Sequence, residues 1–153
     1  MLASFLIGLV GGQRALTPLA AVSVASLRGE IDPGEGAMQG LGHPLIAAGT
    51  TALAVAEMAG DKQKTAPDRI VPIGLAARFI TSAIAGAALA PRGERLAGAA
   101  VAGLTAVASS YVGWKARVTA MDRYGQTATG FIEDAAVLAS AAAIVRHADD
   151  WRS

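Results

Sequence analysis

The chain has no cysteine, few aromatic residues and few charges. Among its 153 residues, aromatics make up 5% and Asp, Glu, Lys and Arg together 16%, whereas a typical soluble domain carries about 25% charged residues. The lack of cysteine excludes a disulfide framework, a thiol nucleophile and thiolate metal sites. The net charge is +1 and the sequence contains no basic run, so a nucleic-acid partner is not expected.

Sequence signatures of catalysis are also missing. There is no Ser-His-Asp order, phosphate loop, dinucleotide fingerprint or zinc-ligand spacing. The sequence therefore predicts no catalytic residue, no metal site and no cofactor. A membrane-embedded enzyme that acts on lipid remains the least favoured of three functional hypotheses.

What the sequence does contain is small apolar residues. Hydrophobic residues make up 53% of the chain and the mean hydropathy is +0.44, with Ala, Gly, Val and Leu dominating. Small residues are enriched where helices approach closely in lipid, and the length suits one domain. The sequence therefore predicts a single all-α integral membrane domain over 1–153, with the lipid bilayer as its partner, in the plasma (inner) membrane of a bacterium.

Five apolar stretches are candidates for membrane-spanning helices. Two of them, within 36–56 and 96–114, contain no Asp, Glu, Lys or Arg, and a bilayer core of about 30 Å needs about 20 helical residues. Three more contain ionisable residues but are apolar on either side of them. The predicted fold is a compact bundle of about five transmembrane helices, at approximately 2–27, 44–60, 70–91, 96–114 and 127–145. The first stretch lacks a positively charged leader, so a retained span is expected there rather than a cleaved signal.

The orientation of such a bundle is poorly specified. Lys and Arg divide almost evenly between the two sides, which gives little bias under the positive-inside rule. One interpretation is that a span is misassigned or that some of the charges are buried. The other is a dual topology with an antiparallel dimer. A homo-oligomer is expected, with a dimer favoured.

Two apolar stretches contain a similar arginine motif. Arg14 is followed by Thr17 and Pro18, and Arg78 is followed by Thr81 and Ser82. The match suggests a weak internal repeat, which would be parallel because it relates the first and third predicted spans. Pro18 is expected to kink the first span, because proline removes a helical hydrogen bond.

Arg14 and Arg78 are the first candidate site residues. An arginine at the middle of a span costs about 2.5 to 3.5 kcal/mol, so each is expected to face the bundle interior. With Thr17 and Thr81 they would form a cationic, hydroxyl-lined pocket for an anionic group. The alternative is that each arginine pairs internally and locks two helices together.

Four carboxylates complete the candidate site. Glu57 and Asp61 share one face of a helix, whereas the neighbouring Glu133 and Asp134 point about 100° apart. They could be favourable acids near a helix start, a proton or cation site, or counter-charges for Arg14 and Arg78. The near balance of acids and arginines favours internal pairing.

The order of these polar blocks resembles a known family. The blocks are Gly12-Gln13-Arg14 with Pro18-Leu19, Glu57-Met58-Ala59-Gly60-Asp61-Lys62, Arg78, Lys115 with Arg117, and Glu133-Asp134. Together they are similar to the small membrane proteins catalogued as domain of unknown function 4126, over nearly the whole chain. Members usually have a proline soon after Asp-Lys, whereas here Pro67 comes later. The resemblance implies membrane residence and supplies no substrate.

Two further hypotheses about function remain open. The leading one is a transporter or channel-like binder of a small polar or anionic solute, with a substrate-binding cluster of buried charges and hydroxyls. Its predicted members are Arg14, Thr17, Glu57, Asp61, Arg78, Thr81, Glu133 and Asp134. The alternative is a structural or scaffold membrane protein in which the same charges form internal ion pairs.

Overall fold

The described part of the chain is all helical. The structure, a computed structural model, describes residues 1–60 and 71–151, without the side chains of residues 122, 124 and 126. Its elements are α1 (Leu2–Gln13), α2 (Thr17–Leu27), a 3-10 helix (Gly36–Gly42), α3 (Pro44–Gly60), α4 (Pro72–Leu89), α5 (Arg95–Tyr124) and α6 (Gln126–Arg146). No strand occurs in these residues, which confirms the predicted all-α class.

Among the described residues, three helices are long and apolar enough to cross a membrane. They are α4, the Arg95–Met121 part of α5 and the Thr127–Arg146 part of α6. Helices α1, α2 and α3 are apolar but shorter, so the predicted bundle of five spans is not confirmed. The predicted stretches 44–60, 70–91, 96–114 and 127–145 each coincide with one helix, although α5 continues to Tyr124.

The prediction that 2–27 forms one span is wrong. Helix α1 ends at Gln13, and Arg14 takes an extended backbone conformation (φ −139°, ψ 118°). Helix α2 then begins at Thr17 with Pro18 in its first turn. Proline suits this position because a first-turn N–H has no partner within the helix. Pro18 therefore starts a helix rather than kinking one.

Helices α1 and α2 form an antiparallel hairpin. Near the start of α1, the Ser4 hydroxyl donates to the Gly86 carbonyl at 2.9 Å, close to the end of α4. The loop after α2 returns to the same region, where Asp32 accepts from Arg92 at 2.9 Å. Both ends of the hairpin therefore lie where α4 ends and α5 begins, here called the first end of the bundle. Residues 14–16, here called the hairpin tip, lie within the bundle.

Small residues allow α1 to pack closely against its neighbours. Helix α1 runs parallel to α5, since Gly8 abuts Ala102 and Gly12 abuts Ser109. A Cβ added to Gly12 would lie 2.8 Å from the Ala106 carbonyl oxygen, so no larger residue fits without a shift. This kind of contact is typical of helix pairs in membranes.

The hairpin shares one apolar core with the long helices. Ile7 of α1, Val22 of α2, Leu89 of α4 and Val137 of α6 belong to the same buried cluster. Ser4 contacts Gly86 whereas Gly11 contacts Ser82, so α1 and α4 are antiparallel. The Arg14 motif lies at the hairpin tip and the start of α2, which runs opposite to α1 and therefore in the same direction as α4. The parallel repeat stays a prediction.

Candidate functional site

Arg14 lies at the hairpin tip and pairs with α6. Its side chain is 1% exposed. Its guanidinium donates to Asp134 Oδ1 from Nε at 2.8 Å and from Nη2 at 2.6 Å. The extended backbone at Arg14 therefore coincides with a close ion pair to a helix 120 residues away in sequence. Arg14 and Asp134 therefore form an internal ion pair, which was one of the alternatives for the buried charges.

Glu133 extends this pair to a second arginine. Its Oε2 lies 3.1 Å from Arg117 Nη1 and 3.9 Å from Arg14 Nη2. The Arg117 side chain is buried, and its Nε also donates to the sulfur of Met121 at 3.4 Å. Because adjacent helical residues point about 100° apart, the two acids of α6 approach different arginines most closely.

Arg117 is a site residue that the sequence prediction missed. Its position was assigned to the loop that follows a span ending at residue 114, but α5 continues through it to Tyr124. The sequence did contain one signal for this pair. Arg117 and Glu133 are 16 residues apart, a spacing that places them opposite each other in a hairpin of two helices. Gly125, with a φ of +80°, joins α5 to α6 at that turn.

Glu57 of α3 binds the backbone of the hairpin tip. The N–H of Ala15 donates to its Oε1 at 2.8 Å and the N–H of Leu16 donates to its Oε2 at 2.9 Å. These donors immediately precede α2, where the first N–H groups of a helix lack internal partners and the helix dipole favours negative charge. The Glu57 carboxylate satisfies both requirements at once.

Thr81 of α4 binds the same tip from another side. Its hydroxyl lies 2.5 Å from the Ala15 carbonyl oxygen and 2.9 Å from its own helix's Ala77 carbonyl oxygen. Buried backbone N–H and C=O groups need hydrogen-bond partners. The non-helical tip obtains them from side chains of α3 and α4, and Arg14 anchors it to α6.

Thr17 is next to the hairpin tip but makes no side-chain hydrogen bond in this network. It is the first residue of α2 and is 2% exposed. Its hydroxyl has no hydrogen-bond partner among the described residues. It lines a cavity of about 320 Å³ between α2, α3 and α6, whose walls also include Arg28 and Arg146 near the first end.

A larger groove is lined by α1, α5 and α6. Its volume is about 1080 Å³ and its walls are mostly apolar. The polar residues along it include Gln13, Arg117 and Glu133, whereas His147 and Trp151 lie at its other end. Gln13 donates to the Ser109 carbonyl at 3.2 Å, which ties α1 to α5 beside the groove.

Arg78 does not join Arg14 in either cavity. Arg78 is buried on α4 at 6% exposure, one turn before Thr81, but neither arginine lines the groove or the smaller cavity. The predicted pocket shared by the two arginines is therefore not found in these two cavities. Asp61, the remaining predicted site residue, lies outside the described residues.

The candidate site is thus a cluster of charges and hydroxyls around the hairpin tip, here called the polar centre. Its members are Arg14, Glu57, Thr81, Arg117, Glu133 and Asp134. Among the described residues, no group of three or more His, Asp or Glu side chains is arranged to hold a metal ion. No family model, curated protein or solved structure matches the chain. The resemblance to domain of unknown function 4126 therefore stays a prediction.

Proposed function

We propose that the chain is a multi-pass membrane protein that binds and moves a small anionic solute at the polar centre. In this arrangement α3 to α6 cross the bilayer, and the α1–α2 hairpin enters it from the first end. The bilayer is that of a bacterial inner membrane, and the protein acts as a homo-oligomer. The length and apolar composition of α4, α5 and α6 support membrane residence.

The observation that carries the proposal is the break between α1 and α2. Non-helical backbone at membrane depth is tolerated only where protein buries it or where it lines a water-filled cavity. In transporters, half-helix N-termini point at anionic groups near the middle of the bilayer, and the N-terminus of α2 at the hairpin tip offers a comparable group of donors. Here Glu57, Thr81 and Asp134, from three different helices, hold the tip.

The charges around the tip favour an anion over a cation. The N-terminus of α2 and the Arg14 guanidinium both attract negative charge. Their present partners, Glu57 and Asp134, are themselves anionic side chains. A solute anion would replace one of these contacts, and the internal carboxylate occupies that position between binding events.

Solute flux into liposomes tests the proposal. Purified protein is reconstituted and assayed with a panel of small carboxylates and inorganic anions, alongside Arg14→Ala and Arg117→Ala, which each remove a buried arginine of the polar centre. We expect both variants to lose flux relative to the wild type, whereas Arg92→Ala, which alters an exposed pair at the first end, should retain it. Unchanged flux in both buried-arginine variants contradicts the assigned roles.

A scaffold function is the second candidate, and one observation favours it. Arg14 meets Asp134 in direct contact and lines neither cavity, as expected of a charge pair that only locks helices. In that case the double variant Arg14→Met/Asp134→Leu should remain folded, since a buried ion pair can often be replaced by apolar residues. A folded double variant together with a wild type that moves no tested anion would favour the scaffold.

A further inference from the structure

We infer that the N-terminus of α2 is a carboxylate-binding site that Glu57 occupies as a tethered ligand, and that a small carboxylate solute takes its place. The inference rests on the proposed function only for the identity of the replacing group as a solute.

The hydrogen bonds at the site match the shape of a carboxylate. Two consecutive N–H groups, those of Ala15 and Leu16, each bind a different oxygen of Glu57, at 2.8 and 2.9 Å. A planar group with two oxygens on one carbon satisfies both donors together. Hydrogen bonds to an ionised acceptor are about twice as strong as neutral ones. The contact therefore selects a carboxylate rather than a neutral amide or alcohol.

Thr17 adds a donor that Glu57 leaves unused. Its hydroxyl is buried and has no partner among the described residues. Because Cα–Cβ bonds in a helix tilt toward its N-terminus, the side chain of this first α2 residue lies on the side of the donating N–H groups. Buried hydroxyls are normally satisfied by protein or water. An orphaned hydroxyl beside two N–H groups indicates a site built for a ligand with more acceptors than Glu57 offers.

The smaller cavity gives a free anion access to this position. It lies between α2, α3 and α6 and contains Thr17 at one end and Arg28 and Arg146 near the other. Both arginines are exposed at the first end of the bundle. Met58, the neighbour of Glu57 on α3, also lines it. Glu30 lines the same end and lies 3.7 Å from Arg28, so two arginines and one carboxylate stand there. A small anion attracted by this net positive charge would reach the α2 N-terminus along α3.

The size of the cavity limits the ligand. With about 320 Å³ and walls of Ala20, Ala21, Ala54 and Ala141, it accepts a short-chain monocarboxylate. The apolar walls suit a short hydrocarbon chain, while the polar end suits its carboxylate.

Chemical rescue of Glu57→Ala tests the inference. The variant is purified in detergent, and its melting temperature is measured in increasing formate, acetate and butyrate, with chloride at equal ionic strength as the reference. A ligand that binds only the folded state raises stability with the logarithm of its concentration above Kd. We expect the carboxylates to raise the melting temperature of Glu57→Ala at lower concentration than that of the wild type, in which Glu57 competes for the site.

Matched variants separate the site from general effects. Glu94→Ala removes an exposed carboxylate at the start of α5 and should show no rescue. Adding Thr17→Val to Glu57→Ala should weaken the acetate affinity by about tenfold, the value of one hydrogen bond to a charged group. If Glu57→Ala does not survive purification, Glu57→Gln is used, and it should be rescued less because its amide oxygen still accepts one N–H.

The outcomes distinguish this inference from the proposed function. Absence of carboxylate-specific rescue in both Glu57 variants overturns the inference, even if the wild type transports an anion. Equal rescue by chloride or sulfate overturns the choice of a carboxylate. Rescue by acetate, in a protein that moves no solute in liposomes, supports the site and contradicts the transport proposal.

Discussion

The Arg14 guanidinium donates from Nε and Nη2 to a single oxygen of Asp134, at 2.8 and 2.6 Å. This contact joins the hairpin tip to the last helix of the bundle. Its position on non-helical backbone means that the ion pair fixes the path of the chain as well as the charge balance.

We expect loss of Arg14 to be strongly destabilising. Arg14→Met leaves Asp134 buried without its closest counter-charge, and breaking a buried pair costs about 3–5 kcal/mol. Arg14→Met/Asp134→Leu should recover much of that loss. The control is Arg92→Met, whose pair with Asp32 is mostly exposed and is worth about 0–1 kcal/mol. Unfolding in detergent measures all three, and equal losses for Arg14→Met and Arg92→Met would contradict the role of the buried pair.

The hairpin predicts which residues share a side of the membrane. Because the native chain has no cysteine, single cysteines can be introduced at an N-terminal extension, at Glu35, at Arg92 and at Arg123. An impermeant maleimide should label the first three from one side and Arg123→Cys from the other. A continuous first span would instead place the N-terminal cysteine with Arg123→Cys. Equal labelling of every site from both sides would indicate the dual topology.

Thr81 should contribute to stability through the tip rather than through its own helix. Thr81→Val removes the donor to the Ala15 carbonyl, and an unsatisfied buried acceptor costs about 1–3 kcal/mol. Thr119→Val makes the same chemical change where the hydroxyl is exposed and donates only to the Lys115 carbonyl of its own helix, so its effect should stay within about 0.5 kcal/mol. Melting temperatures of the two variants in one detergent provide the comparison.

The close packing of α1 on α5 gives a prediction about two glycines. Gly12→Ala would press a Cβ against Ser109 and the Ala106 carbonyl, and overpacking costs about 1–3 kcal/mol. That exceeds the gain of about 0.5–1 kcal/mol from replacing a helical glycine. Gly49→Ala on α3 meets nothing within 4 Å and should therefore be neutral or stabilising. A Gly12→Ala variant as stable as Gly49→Ala would be inconsistent with the packing described.

The helices were readable from the sequence, whereas the hairpin was not. The start of α3 follows from Pro44, and long apolar stretches predicted α4, α5 and α6. The break at Arg14 lies inside an apolar run, and what holds it open is tertiary: Asp134 and Glu57 bind residues far away in sequence. A local signal did exist, because Thr17-Pro18 is a favourable helix start.

The sequence predicted most of the residues of the candidate site, but few of the contacts between them. Internal pairing of Arg14 with an α6 acid was one of the stated alternatives, and the structure adopts it. The role of Glu57 as a backbone ligand was not predicted, because no sequence pattern indicates unpaired N–H groups at residues 15 and 16. Arg117 was missed because polar residues near a predicted helix end are normally assigned to a loop.

The contacts of the hairpin tip also have a consequence for folding during translation. Arg14 is translated early, but its partner Asp134 is 120 residues downstream, which at about 5–20 residues per second is a delay of about 6–24 s. Glu57 and Thr81 are added during that interval, but Asp134 is added only at its end. The tip therefore lacks one of its three partners until α6 is made. The hairpin is consequently made well before the helix that holds its tip, and a chain terminated before α6 would leave Arg14 without Asp134.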